Sequence, residues 1–88
     1  MNKYLVEFLG TLFLLYVILA TKNATAIGAS LAIGIIVGSK MSGAHFNPAV
    51  TIAMAAAGKI SVNKVMPYIF SQVSGALIAL ELYKQSKK

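Results

Sequence analysis

The chain has 88 residues, 58% hydrophobic and 11% charged, with eight Lys, no Arg, two acids and a formal net charge of +6. Its mean hydropathy of +0.77 is too high for a soluble domain of this size, whose surface would need far more charge, so one membrane-embedded domain is expected. The absence of Cys excludes disulfides and thiolate metal sites, no metal or other cofactor is expected, and the lysines form no aromatic-interleaved stripe for nucleic acid.

The first apolar segment runs from Tyr4 to Ala20, interrupted only by Glu7, Gly10 and Thr11. Lys3, the run from Leu5 and the triplet Ala24-Thr25-Ala26 have the outline of a cleaved leader. An acid early in the run is foreign to a leader, and a further membrane segment follows, so a retained span is expected. A carboxylate inside a span is costly and usually faces the bundle interior with a partner. Glu7 is therefore expected to hydrogen-bond loop backbone or His45 and support that loop. Glu81, near the end of the chain's last span, reads as interfacial.

Thr21-Lys22-Asn23 makes a short hairpin into the second apolar segment, Ala24 to Ser39, which carries no charge. The stretch from Lys40 to Asn63 is too long and too apolar for an ordinary surface loop. Within it stands Ser42-Gly-Ala-His-Phe-Asn-Pro-Ala-Val-Thr51. Asn is among the strongest N-cap residues and Pro favours the first helical position, so Asn47-Pro48 opens a short helix running to about Ala57. Met41 to Phe46 is expected to descend as extended backbone, giving a re-entrant loop and half-helix over about 41–57. Backbone of this kind at membrane depth is tolerated only where protein buries it or water wets it.

The third apolar segment, Met66 to Tyr83, has Pro67 near its start. Each of the three approaches the ~20 residues that a spanning helix needs. The expected fold is an all-α membrane protein: three transmembrane helices, at about 4–20, 24–39 and 66–83, plus one re-entrant half-helix. Small residues recur at Ser30, Gly34 and Gly38 and at Ser71, Gly75 and Ala79, faces on which helix backbones approach closely in lipid.

Glu7-Phe8-Leu9-Gly10-Thr11, Ser42 to Thr51 and Ser71-Gln72-Val73-Ser74-Gly75-Ala76 occur in the order found in the aquaporin and aquaglyceroporin family, the major intrinsic proteins, which this chain resembles throughout. Family members contain two inverted three-span halves, each with an Asn-Pro-Ala half-helix, and the resemblance covers one half-repeat. It implies a channel subunit for passive transport of water or small neutral solutes such as glycerol, and no enzyme. Asn47 would be the pore asparagine, with Pro48 and Ala49 forming the tight helix start against the opposing half-helix. The carbonyls of Gly43, Ala44 and His45 would offer acceptors to a single file of permeant molecules. The positive helix end would repel cations.

Two departures follow from the same comparison of patterns. The position after Asn-Pro-Ala, often Arg in the family's second half, is Val50, and the second-span constriction position aligns with Ile27. Such a filter would be apolar and free of Arg. A lone half-repeat would also leave its half-helix end facing lipid, so a second unit must complete the bundle. With the N-terminus on one side of the membrane, Lys3, Lys40, Lys59 and Lys64 share that side, and Lys22, Lys84, Lys87 and Lys88 lie on the other. An even split gives the positive-inside rule nothing to act on. The expectation is a homo-oligomer in the bilayer: two copies inserted in opposite orientations, and four such dimers by analogy with the family. The alternatives are a split channel with a separately encoded second half, or a non-conducting membrane protein that modulates full-length aquaporins.

Overall fold

The computed structural model describes residues 1–87, so the expectation placed on Lys88 lies outside the described residues. Helix α1 spans Lys3–Thr21, α2 Ala24–Ser42, α3 Pro48–Ala56 and α4 Val65–Ser86, the last entered through a 3-10 turn at Val62–Lys64. The chain is all-α, and α1, α2 and α4 with its leading turn are long and apolar enough to cross a membrane.

Local chemistry sets the boundaries. The Asn2 side chain accepts from the N–H groups of Tyr4 and Leu5 at 2.7 and 3.3 Å, which fixes the start of α1. Lys22 closes that helix in the left-handed region (φ 50), and Asn23 caps α2 through Ala26 N–H at 2.9 Å. The two caps are adjacent, so α1 and α2 reverse direction within one tight turn. At its far end α2 continues to Ser42 before Gly43 (φ 90) stops it. The extended descent expected from Met41 is thus shorter: Met41 and Ser42 are helical, and the non-helical segment is residues 43–47.

Helix α1 lies between α2 and α4 and packs on both. Gly75 of α4 presses on the backbone of α1, where a Cβ would collide with the Phe8 carbonyl oxygen. Tyr68, Gln72, Gly75 and Ala79 form the buried face of α4, while Ser71 is only half-buried and donates to its own helix at Pro67 O. On α2, Ser30 and Gly38 are buried and Gly34 receives the edge of the Phe46 ring.

The interior is more polar than the exterior. Glu7, Thr51 and Gln72 are the largest fully buried side chains, whereas Ile36, Phe70 and Leu77 are 79%, 75% and 58% exposed. That inversion suits lipid as the solvent, where apolar surface carries no penalty and polar groups must find partners inside. The chain is an integral membrane protein. Tyr68 ties three helix ends together: its ring meets Tyr4 edge-on at 5.7 Å and its hydroxyl donates to Ser42 O at 2.6 Å. The start of α1, the end of α2 and the start of α4 therefore share one end of the bundle.

Candidate functional site: a loop clasped by a buried carboxylate

Residues 43–47 cross from the end of α2 to the start of α3, and a single side chain organises them. Glu7, fully buried in α1, accepts four hydrogen bonds. Its Oε2 takes Ser42 Oγ at 2.7 Å and His45 N–H at 3.0 Å. Its Oε1 takes Phe46 N–H and Gln72 Nε2, both at 2.8 Å. Every partner donates, which suits the acceptor-only carboxylate. The loop needs this support, because Ala44 (φ 54) and Phe46 (φ 55) sit in the left-handed region beside Gly43. Each non-glycine residue there costs about 1–2 kcal/mol, which the charge-assisted bonds offset.

The clasp also decides where the carbonyls face. Ala44 N–H is taken by Ser42 Oγ at 3.1 Å, and the next two N–H groups by Glu7. These are three consecutive trans peptide units, in which N–H and C=O point in opposite directions. With their N–H groups turned to the clasp, the carbonyls of Gly43, Ala44 and His45 must turn away from it. Among the described residues none donates a hydrogen bond to those three carbonyls.

A second layer fixes His45 and the half-helix. Gln72 Nε2 also donates to Thr51 Oγ1 at 2.8 Å, and that oxygen lies 2.9 Å from His45 Nδ1. The network assigns His45 as the neutral Nε2–H tautomer, since only then does the Thr51 proton find an acceptor, at Nδ1. His45 also packs on Tyr68, with ring centroids 5.1 Å apart. The Phe46 ring fills the gap between α1 and α2, against Gly10, Gly34 and Gly38, where added Cβ atoms would intrude.

Asn47 opens α3 with its Oδ1 accepting from Ala49 N–H at 2.7 Å. That bond consumes the carbonyl end of the side chain, so the amide NH2 is turned outward from an exposed residue. Pro48 occupies the first helical position. Asn47 and Pro48 border the same cavity as Thr11, Leu14 and Ile18, so the tip of the half-helix lies level with the middle turns of α1.

A family model described as "Major intrinsic protein" matches residues 20–88. The chain belongs to the major intrinsic protein family. It is 35% identical to "Aquaporin Z" of Bradyrhizobium diazoefficiens, an alignment covering 93% of this chain and 40% of that protein. It is 40% identical to "Glycerol uptake facilitator protein-like 6" of Lactiplantibacillus plantarum, covering 90% and 41% respectively. With "Probable glycerol uptake facilitator protein" of Thermotoga maritima the identity is 37%, over 89% of this chain and 41% of the relative. The chain thus spans about two fifths of the length of the curated relatives it matches. No solved structure matches it at a significant level.

Within this major intrinsic protein half-repeat, the loop and α3 bring Gly43, Ala44, His45, Asn47, Pro48, Ala49 and Val50 into one short stretch beside Glu7. Ile27 is apart from them, half-buried in the first turn of α2 and next to Asn23 rather than to the loop. Sequence reasoning gave no role to Ser42, Thr51, Tyr68 or Gln72, which complete the clasp. Gln72 carried a usable signal: a large polar side chain in mid-span, as costly in lipid as Glu7 and in need of a partner.

Proposed function

We propose that this chain is a subunit of a channel that passes water or small uncharged solutes such as glycerol down their gradients, with the pore completed by a second copy in the opposite orientation. The observation that carries this reading is the run of three outward carbonyls ending at an asparagine whose amide NH2 is free at a helix N-terminus. Acceptors followed by a donor replace the hydration of a hydroxyl group without offering a charge. A cation entering the same path meets the positive end of α3, which disfavours it. The names of the relatives, aquaporins and glycerol facilitators, support the same solute class.

In this reading Asn47 hydrogen-bonds the permeant, Pro48 and Ala49 abut the second copy's half-helix, and Gly43, Ala44 and His45 supply the file of acceptors. Val50 and Ile27 make the constriction apolar, so exclusion of cations rests on the two half-helices. Glu7 aims the carbonyls and never meets the permeant. Antiparallel pairing is supported by the lysines: Lys3, Lys40 and Lys64 attach to one end of the bundle and Lys22, Lys84 and Lys87 to the other. With Lys59 and Lys88 on the sides the sequence pattern gives them, the count is four against four, and a bundle without charge bias has no electrostatic reason to prefer one insertion.

Stopped-flow swelling of liposomes holding the purified chain tests conduction. The expected result is swelling faster than in empty liposomes and lost in Asn47→Asp. Swelling equal to empty liposomes in both proteins would refute conduction by this chain alone and favour a split channel or a modulatory role. Accessibility labelling of the C-terminus in intact cells tests the pairing: both faces should label, and a single labelled face would exclude antiparallel copies.

A further inference from the structure

On the side of the bundle away from Asn47, a groove of about 240 Å³ runs along α1 and α2. Its walls are Leu9 and Phe13 of α1 and Ile33 and Val37 of α2, all exposed, with Met41 at its mouth and the Phe46 ring as its floor. It persists because Gly10, Gly34 and Gly38 bring no side chain to this face, and the buried Phe46 fills only its depth. No polar side chain lines it, so water gains no hydrogen bond there, and a void would rob its walls of dispersion contacts. Both wall helices continue into lysines. Lys40 follows Val37 by three positions and Lys3 precedes Val6 by three, each about one turn beyond a lining residue. Lys3 Nζ rests over the Tyr4 ring at 5.7 Å, Lys40 is exposed, and neither has an acid partner among the described residues. Of the chain's two acids, Glu7 is buried in the clasp and Glu81 stands at the opposite end, paired with Lys84. The groove therefore opens at an end of the bundle whose exposed charge is positive.

We infer that this groove binds one phospholipid of the bilayer that carries an anionic headgroup. An acyl chain lies between α1 and α2 against Leu9, Phe13, Ile33 and Val37, and the headgroup phosphate meets Lys40 and Lys3. The lining residues follow one another along both helices, so the groove runs with the helix axes, as acyl chains do in a bilayer. A lysine at its mouth keeps its methylene stem on apolar surface and its ammonium at headgroup level. A second copy of the chain is the poorer occupant on charge. A parallel copy brings Lys3, Lys40 and Lys64 to this level and an antiparallel one brings Lys22, Lys84 and Lys87, so positive ends would meet either way. An anionic headgroup supplies the complementary charge that neither copy offers. The site is independent of conduction, since the groove and the Asn47 tip lie on different sides of the Phe46 ring.

Photolabelling of the full chain in nanodiscs tests it, with trace phosphatidylglycerol bearing a diazirine in its acyl chain as probe and mass spectrometry of the labelled peptides as readout. Ile33 and Val37 should be labelled well above Phe70 and Leu77, lipid-facing residues of α4 that are at least as exposed. Phosphatidylcholine with the same diazirine chain should label the four positions alike. Lys40→Gln should lower the phosphatidylglycerol signal at Ile33 and Val37 about fivefold, the factor that one lysine near an anionic surface supplies, while Lys40→Arg keeps it. Wild-type groove labelling no stronger than that of Phe70 and Leu77 would overturn the inference without recourse to any variant. Equal groove labelling by the two lipids, or a Lys40→Gln signal equal to wild type, would also overturn it. Linkage of two Val37→Cys chains to each other in place of lipid labelling would overturn it in favour of a second copy. The readout needs no transport, so a chain that fails to conduct can still hold the lipid, and a conducting chain can still lack it.

Discussion

Replacing Glu7 by Gln keeps the shape of the side chain and removes one of its two acceptor oxygens. Turned either way, the new NH2 faces two groups that already donate. On the Oε2 side Ser42 can rotate to accept, and His45 N–H is stranded; on the Oε1 side both Phe46 N–H and the Gln72 amide are stranded. The first orientation is the less costly. A stranded buried amide costs about 1–3 kcal/mol, and the surviving bonds weaken from charge-assisted to neutral, about 1 kcal/mol more. The loop should therefore open more easily by about 2–4 kcal/mol, given these two contributions. Removing the buried charge also returns desolvation free energy, so a melting temperature would mix opposing effects, and local exchange isolates the loop. At 1.4 kcal/mol per decade, hydrogen exchange at the amides of His45 and Phe46 should accelerate roughly 30- to 700-fold in nanodiscs. Amides in the middle of α4 should be unchanged. Exchange at His45 and Phe46 within about threefold of wild type would refute the clasp, because a change that small is worth less than one hydrogen bond.

Gly75→Val should prevent α1 and α4 from docking, since its Cβ meets the Phe8 carbonyl, and should be seen as aggregated protein in detergent chromatography; Gly28→Ala, with open space around the added Cβ, should elute like wild type. Phe46→Ala removes the ring that fills the gap between α1 and α2 and should lower stability by about 3–5 kcal/mol, measured by thermal or denaturant unfolding in detergent. Tyr68→Phe deletes only the hydroxyl that donates to Ser42 O at 2.6 Å and should cost about 1 kcal/mol in the same assay, with the fold kept.

The division between what the sequence disclosed and what it withheld follows the range of the interactions. The helix starts were legible because caps are local: Asn47 followed by Pro48 signals its own helix from two adjacent residues. The spans were legible because lipid imposes length and composition on a contiguous segment. Helix α2 ends at Ser42, past the expected Ser39, since Lys40 and Met41 look like a departure from the membrane; the stop is Gly43, whose φ of 90 is a property of the turn and not of composition. Glu7 stood out as an acid in an apolar run. The identity of its partners did not, because Ser42, His45, Phe46 and Gln72 lie 35 to 65 residues away. No local pattern encodes which of several polar residues in three helices will converge.

The clasp explains why an acid with no cation partner among the described residues is kept inside this bundle. A carboxylate without a cation partner is costly in a low-dielectric interior, and a Lys beside it would lessen that cost. Such a cation would also compete with backbone N–H groups for the lone pairs, and the loop would lose the contacts that hold Ala44 and Phe46 in the left-handed region. With neutral donors only, the carboxylate's acceptor capacity goes to the chain itself, and the donors it selects belong to consecutive peptide units. Because each of those units is trans, fixing its N–H fixes its carbonyl, so one buried side chain orients acceptors that it does not touch. The same geometry predicts that Glu7→Gln lowers permeability without altering Asn47: swelling assays should show a loss with the Asn47–Ala49 cap intact. A full rate from a chain whose His45 and Phe46 amides exchange freely would separate carbonyl orientation from conduction and leave Asn47 as the sole determinant.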